Sequence, residues 1–382
     1  MPGTVCHGAA CSKLTAALLQ VYVPMIRIFW QFLLLAAFAP IAIAAEPGTV
    51  TTRPLPDLPR PISNNAVAAI ASGAGVTLFS FLGLESGKRW SDTSSAAFAL
   101  GPEASAWVEL PAVPGSEGRL AASAVAVADR VYIFGGYTVA EDGSEKSTPY
   151  VHAYDPDQRT YIAREPMPVP VDDSLAVAYG ERLIYLVSGW HDHGNVNLVQ
   201  LYDTVADSWS QATPYPGAPV FGHAGGIVGT TLIVCDGVAI HISATERRRY
   251  QSSAECYRGE IDPQDPRRID WYRLASHPGV ARYRMAAAGT SSDGGWVIFA
   301  GGSDNPYNYN GTGYDGRPAN PVRTIFGYSL ALRQWRELGQ LDQATMDHRA
   351  LVVAGTKFVL IGGMRENQQV SASALSFGLA LP

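Results

Sequence analysis

The chain has 382 residues, of which 47% are hydrophobic and 16% are charged; this is enough apolar material for one large or two ordinary globular domains and excludes an intrinsically disordered chain. Lys and Arg number 28 against 34 Asp and Glu, a formal net charge of −6, so the basic surface that nucleic-acid binding requires is missing. The four cysteines, at positions 6, 11, 235 and 256, exclude a disulfide scaffold and contain no paired Cys-x-x-Cys of a structural zinc site.

An export signal is the first predicted element. Residues 25–44 contain one Arg, then an apolar run, then small residues with Ala42 and Ala44 at the positions that a signal peptidase accepts. An uncleaved membrane anchor is the alternative, because the apolar run is close to the minimum length for a bilayer span. Residues 1–24 are interpreted as an upstream extension and residues 45–382 as the mature domain. We therefore expect a periplasmic or secreted protein without membrane contact after signal cleavage.

Two sequence markers then recur along the chain. An apolar run ending in a glycine-containing step occurs six times, at Phe79–Leu84, Val131–Tyr137, Ile184–Trp190, Leu232–Val238, Val297–Ser303 and Phe358–Met364. A large aromatic follows seven residues after a Tyr in the pairs Tyr154 and Tyr161, Tyr202 and Trp209, and Tyr328 and Trp335. The pattern is typical of a four-stranded antiparallel blade, in which glycine lets the second strand bend and the aromatic packs between blades.

Such a blade cannot bury both of its faces alone, so the six copies are expected to stack radially into a closed ring. The last copy has no Trp-bearing fourth strand, whereas residues 50–62 precede the first inner strand with nothing to pair with. We predict an all-β, six-bladed β-propeller whose N-terminal strand completes the last blade. Two stacked β-sandwiches are the alternative, which the paired markers disfavour.

The Gly-Gly pairs at 135/136, 301/302 and 362/363, with the Tyr-to-Trp steps, resemble kelch repeats over residues 64–378. The export signal, the six copies and the Asn/Tyr-rich loop at 303–323 further resemble the periplasmic sialic acid mutarotases (N-acetylneuraminate epimerases). This resemblance implies an acidic sugar or glycan as ligand and interconversion of sugar anomers or epimers, without a cofactor or metal. One position departs from that group, because Val238 stands where those enzymes carry a catalytic Glu.

The segments that lead into the inner strands of a propeller meet at one mouth of the central channel, where ligands usually bind. All six segments are polar here; Arg suits a carboxylate anchor, and His or Asp can exchange protons. The predicted catalytic residues are His223, Asp347 and Asp173, and the predicted substrate-binding residues are Arg284, Arg349, Arg119, His348, Asn305, Tyr307 and Tyr309. Alternatively, such polar residues only satisfy exposed backbone and line a water-filled channel, and the long loop is a surface excursion.

Three further features of the sequence have alternative interpretations. Val238 favours a rival function, a non-catalytic module whose propeller face holds a glycan or a protein partner. The motif His191-Asp192-His193 supplies at most part of a metal site, and a solvated turn is the default. Cys235 and Cys256 fall on neighbouring strands of the fourth blade, but only the strand register decides whether they form a disulfide.

Overall fold

The computed structural model describes residues 49–115, 117–242 and 248–382. The predicted upstream extension at 1–24 and the predicted signal at 25–44 lie outside the described residues. Within the described part, no helix is long and apolar enough to cross a membrane. The helices found there are short 3-10 turns at Trp90–Asp92, Ser292–Gly294 and Glu366–Gln368. The remaining elements are strands, which confirms the predicted all-β class.

Six sheets with four main antiparallel strands each make up most of the described chain; four of them have only these strands, and the other two carry one short additional strand. We call them sheets 1 to 6 in the chain order of their inner strands. The inner strands are Ala66–Ser72, Ser123–Val127, Leu175–Tyr179, Ala224–Val228, Ala286–Thr290 and Val352–Ala354. The second strands are Gly75–Glu85, Arg130–Phe134, Leu183–Val187, Thr231–Cys235, Trp296–Ala300 and Lys357–Ile361. The third strands are Thr93–Leu100, Val151–Asp155, Val199–Asp203, Cys256–Ile261, Val322–Ser329 and Ala374–Phe377. The outer strands are Val108–Leu110, Thr160–Ala163, Ser208–Gln211, Ile269–Arg273, Gln334–Thr345 and Arg53–Leu55.

Short strands outside these sheets lie on the side of the molecule where the second and third strands are connected. They are Tyr137–Val139 with Glu145–Ser147, Trp190–His191 with Gly194–Asn195, Val220–Phe221 with Val238–His241 and Arg249–Ser252, and Met364–Arg365 with Gln369–Val370. Ile62–Ser63 extends sheet 1, and Thr49–Val50 pairs in parallel with the outer strand of sheet 5. We call the side of the molecule on which the second and third strands are connected the loop face.

The inner strands contact one another in cyclic order, with sheet 6 next to sheet 1. They surround an apolar channel of about 340 Å³, lined mainly by alanine, valine and glycine. Small side chains suit the inner strands because six sheets converge there on one axis. The chain therefore folds as a β-propeller.

The N-terminal closing strand is confirmed. Arg53–Leu55 pairs antiparallel with Ala374–Phe377, so that Leu55 lies opposite Ala374. The fourth strand of sheet 6 thus comes from the opposite end of the folded chain from its other three. This pairing covers an edge that would otherwise expose unpaired backbone groups.

The Gly-Gly marker has a steric cause. A Cβ atom at Gly362 would lie 2.2 Å from the carbonyl oxygen of Ile62, and one at Gly135 would lie 2.2 Å from that of Val171. Both glycines also have positive φ, +68° and +54°. The second strand of one sheet therefore leaves room for the segment leading into the next sheet only where no side chain is present.

The outer aromatic residues join neighbouring sheets, as the repeat pattern predicted. Nε1 of Trp209 donates a hydrogen bond to the carbonyl of Glu165, and Nε1 of Trp335 donates to that of Ala275. The Trp209 ring also packs 4.8 Å from the ring of Tyr202, measured between centroids. Each aromatic thus contributes buried apolar area and holds the linker from the preceding sheet in place by a hydrogen bond.

Register settles the open question of the cysteines. Cys235 and Cys256 lie directly opposite each other on the second and third strands of sheet 4. They form a disulfide bond, and both residues are buried.

Candidate functional site

The six segments that lead into the inner strands, here called the leading segments, converge on the propeller axis. One residue in each has a left-handed backbone; these residues are Asn64, Ala121, Asp173, Gly222, Arg284 and Asp347. Main-chain hydrogen bonds run from segment to segment: Asp173 N to Ala121 O, Gly222 N to Asp173 O, Arg284 N to Gly222 O, His348 N to Arg284 O, and Asn64 N to Asp347 O. The Asn64 side chain completes this axial ring by accepting a hydrogen bond from Ala121 N.

Four charged side chains of the axial region neutralise one another. The Arg284 guanidinium donates to both carboxylate oxygens of Asp173, at 3.0 and 2.6 Å, and its Nη1 donates to Oδ1 of Asp347 at 2.9 Å. Arg349 donates to Asp173 from the channel side. Although burial opposes ionisation, Arg284 and Arg349 hold the pKa of Asp173 below its ordinary value. The predicted anchors and two predicted acids therefore form one buried network.

The predicted histidines are buried and held by neighbouring groups. Nε2 of His223 lies 2.8 Å from the carbonyl oxygen of Val187, and Nε2 of His348 lies 2.7 Å from Oγ1 of Thr345. Burial lowers the pKa of each histidine to about 4. Both rings are therefore neutral near pH 7.

Of the other predicted residues, Tyr307 contacts the axial network, whereas Arg119 and Asn305 lie apart from it. Arg119 is fully buried on the segment that leads into sheet 2, where its Nη1 donates to the carbonyl of Gly135 at 2.7 Å. Tyr307 is also buried, and its hydroxyl lies 3.3 Å from Oδ1 of Asp347. Asn305 hydrogen-bonds Asp315 within the long loop. Thus only part of the predicted set gathers at the axis.

A cavity opens on the loop face beside the axial ring. Its lining is Tyr137, Glu145, Asp172, Asp173, Trp190, Phe221, Tyr250, Arg284, Asn308, Tyr309 and Tyr314. Of the predicted residues it includes Asp173, Arg284 and Tyr309. The Tyr250 and Tyr314 rings stack with centroids 4.0 Å apart, and Trp190 meets Phe221 edge to face at 5.4 Å. We call this the loop-face cavity.

Asp172 is the buried carboxyl group of this cavity that no cation contacts among the described residues. Its Oδ2 accepts a hydrogen bond of 2.6 Å from Ser147, and the residue is 3% exposed. Burial, with the adjacent Asp173 charge, raises the pKa of Asp172 well above its ordinary value. Glu145 stands at the open rim; the residue is solvent-exposed, yet the protein around its carboxyl raises its pKa as well.

Asp172 precedes the predicted Asp173 on a polar leading segment, but the sequence did not indicate most of the cavity wall. Tyr137, Glu145, Trp190 and Tyr250 belong to the short strands between second and third strands. Glu145 and Tyr250 lie in neither repeat marker, and Tyr137 and Trp190 are only the last residues of two marker runs. The wall combines aromatic faces, a buried carboxyl group with a raised pKa and one arginine. Such a surface can stack against a sugar ring, hydrogen-bond its hydroxyl groups and deliver a proton.

Val238, the position that departs from the mutarotase pattern, is fully buried and belongs to the apolar layer that includes Phe221 and Tyr283. Its carbonyl accepts a hydrogen bond from Nδ2 of Asn195 at 2.8 Å. The side chain at this position therefore contributes packing and no proton chemistry.

Comparisons with known proteins agree with this architecture. The Kelch motif matches residues 118–168. The chain is similar to Kelch-like protein 15 of Gallus gallus, with 31% identity over 28% of this chain and 22% of that protein. It is also similar to Kelch domain-containing protein 3 of Rattus norvegicus, with 25% identity over 65% of each chain. The chain thus spans about a fifth of the first relative and just under two thirds of the second.

Among solved structures, that of YjhT has the same fold. It superposes with a TM-score of 0.67 at 15% identity and covers 86% of this chain and 99% of YjhT. At this identity the likeness concerns the fold alone. The motif and the relatives together support a kelch-repeat family.

Proposed function

Taking the chain as a kelch-repeat β-propeller, we propose that it binds a monosaccharide in the loop-face cavity and interconverts the anomers of that sugar. The observation that carries the proposal is Asp172, a buried carboxyl group in the lining of an aromatic cavity, hydrogen-bonded to Ser147, whose pKa burial raises well above its ordinary value. Mutarotation needs an acid for the ring oxygen and a base for the anomeric hydroxyl. Asp172 supplies the acid, and Glu145, at the rim of the same cavity, supplies the base.

The charges of the site bear on the kind of sugar. Arg284 is the arginine in the cavity lining, but Asp173 and Asp347 already neutralise it. A sugar carboxylate would have to displace one of them, whereas a neutral sugar requires no exchange of partners. We therefore propose a neutral monosaccharide as the preferred ligand. The acidic sugar that the sequence predicted is the second candidate, supported by the position of Arg284 in the wall.

Export remains part of the proposal. It is supported by the signal-like sequence at 25–44 and by the Cys235–Cys256 disulfide, since such bonds persist mainly in oxidising compartments.

The test follows anomeric equilibration by NMR, for neutral aldoses and for N-acetylneuraminate, with and without the protein. We expect wild type to accelerate at least one neutral sugar and Asp172→Asn to lower that acceleration by about 10²-fold, the usual share of a general acid. Asp157→Asn is the matched control, because Asp157 is an exposed carboxylate in a turn of sheet 2. Binding with no acceleration would identify a non-catalytic sugar-binding module. Failure to bind any sugar would refute the proposal.

A further inference from the structure

A second group of reactive side chains is buried beside sheets 4 and 5, apart from the loop-face cavity. Asp236 follows the second strand of sheet 4, Cys256 begins its third strand, and His277 lies on the segment leading to sheet 5. They are 0%, 1% and 5% exposed. One potential ligand atom from each lies within 4.8 Å of the other two. Cys235, bonded to Cys256, brings a second sulfur to the same place.

The histidine is oriented as a metal ligand would be. Its Nδ1 lies 2.8 Å from the carbonyl oxygen of Pro278, which can only accept, so this nitrogen carries a proton. Nε2 faces the Asp236 carboxylate at 2.8 Å. Phe326 stacks on the ring with centroids 4.3 Å apart and prevents it from turning. A ring nitrogen facing a carboxylate oxygen needs a cation between them, which is either a proton or a metal ion.

We propose that reduction of the Cys235–Cys256 disulfide turns this group into a zinc site with Cys235, Cys256, His277 and Asp236 as ligands. Thiolate, imidazole and carboxylate are the ligands that Zn²⁺ takes in tetrahedral sites. A dithiol or phosphine reductant supplies two electrons, the S–S bond breaks, and each sulfur takes up one proton. Zn²⁺ then displaces both thiol protons and the proton between His277 and Asp236.

The surroundings suit the charge of such a site. Two thiolates, one carboxylate and Zn²⁺ sum to a single negative charge, and a buried charge needs a partner. The backbone nitrogen of Arg282 donates to Oδ2 of Asp236 at 2.7 Å. The Arg282 guanidinium also interacts electrostatically with this carboxylate. The oxidised protein lacks two of the four ligands, so disulfide and zinc exclude each other.

The experiment titrates Co²⁺, a spectroscopic substitute for zinc, into the full chain carrying Cys6→Ser and Cys11→Ser, which removes the other two thiols. The phosphine reductant is tris(2-carboxyethyl)phosphine, which takes its oxygen from water and does not compete as a thiol. We expect the reduced protein to bind one Co²⁺ with a thiolate-to-cobalt charge-transfer band that Zn²⁺ removes. The oxidised protein should show no such band.

Two substitutions separate this site from binding by the cysteines alone. His277→Gln and Asp236→Asn should each weaken Co²⁺ binding at least tenfold, whereas Asp293→Asn, an exposed residue in a 3-10 turn, should leave it unchanged. The comparison of reduced with oxidised protein in the Cys6→Ser and Cys11→Ser chain requires no substitution within the site, so it holds even if His277→Gln or Asp236→Asn folds poorly. Absence of the band in the reduced protein, or a band unaffected by both substitutions, would overturn the proposal.

Discussion

Asp172 and Asp173 are neighbours in the chain with opposite ionisation behaviour. The side chain of Asp173 meets Arg284 and Arg349, which keep it charged, whereas that of Asp172 is turned into a cavity without a free cation. Their pKa values accordingly move in opposite directions from the ordinary value. This difference favours Asp172 as a proton donor and leaves Asp173 as the ion-pair partner of the two arginines.

Buried neutral histidines predict an acid-sensitive fold. Burial lowers the pKa of His348 to about 4 from an ordinary value of 6.5. Below pH 6.5 this histidine is protonated in the unfolded chain but stays neutral in the folded chain. Its contribution to the free energy of unfolding is therefore fully present above pH 6.5 and is lost as the pH falls towards 4. We expect a loss on the order of 2–3 kcal/mol for this residue. Urea unfolding at several pH values measures it.

His348→Gln should flatten the dependence of the free energy of unfolding on pH between 6.5 and 4. His193→Gln is the control, because His193 is exposed. An unchanged slope in His348→Gln would show that protonation of His348 does not limit stability in acid. His223, with the same low pKa, should behave in the same way.

At the scale of elements, sheet 6 depends on a strand from the far end of the fold. Arg53–Leu55 supplies its outer strand, and the side chain of Thr52 separately binds Asp342 of sheet 5. Every other sheet takes all four of its main strands from one continuous stretch of chain. Loss of this strand therefore opens the ring at one defined place.

Two truncated chains test the closing strand. A chain beginning at Pro56 lacks it, whereas a chain beginning at Arg53 keeps it and loses only the preceding residues. We expect the melting temperature of the shorter chain to be lower by about 5–10 °C, since a loss of a few kcal/mol shifts a domain of this size by that amount. Differential scanning calorimetry makes the comparison. Equal melting temperatures would mean that the pairing contributes no stability.

At the scale of the whole molecule, the axial ring and the cyclic contacts of the inner strands couple all six sheets. The main-chain hydrogen bonds of the ring join segments that lie far apart in sequence, such as Asn64 and Asp347. Aromatic residues of the outer strands add a second set of contacts between sheets. A closed ring of this kind should unfold as one unit, because opening any sheet exposes the faces of two neighbours.

Cooperativity can be measured with tryptophans in different sheets. Trp107, Trp209, Trp271 and Trp335 belong to sheets 1, 3, 4 and 5 or to their linkers. In the chain beginning at Arg53, we expect urea transitions followed by fluorescence and by far-ultraviolet circular dichroism to coincide. In the chain beginning at Pro56, sheet 6 should exchange its amide hydrogens first. Separate transitions in the Arg53 chain would contradict the coupling.

Local pattern determined much of the architecture. Each repeat carries its own glycines, apolar run and outer aromatic, and these residues act within one sheet or on the adjacent one, as Gly135 does against Val171. The closing strand followed from counting which copy lacked a fourth strand. The convergence of polar leading segments, Asp173 and Arg284 among them, followed from the ring itself.

Only the tertiary structure decided what those polar residues do. The sequence marks Arg284 as a possible anchor, but its partner Asp173 lies 111 residues away, and contacts at such separations leave no local pattern. The wall of the loop-face cavity likewise comes from short strands of several sheets, and the register of sheet 4 joins Cys235 to Cys256. Repeats can be recognised in the sequence because short-range steric constraints and hydrophobic periodicity produce them. Charge pairing and cavity shape arise only when segments distant in the sequence meet.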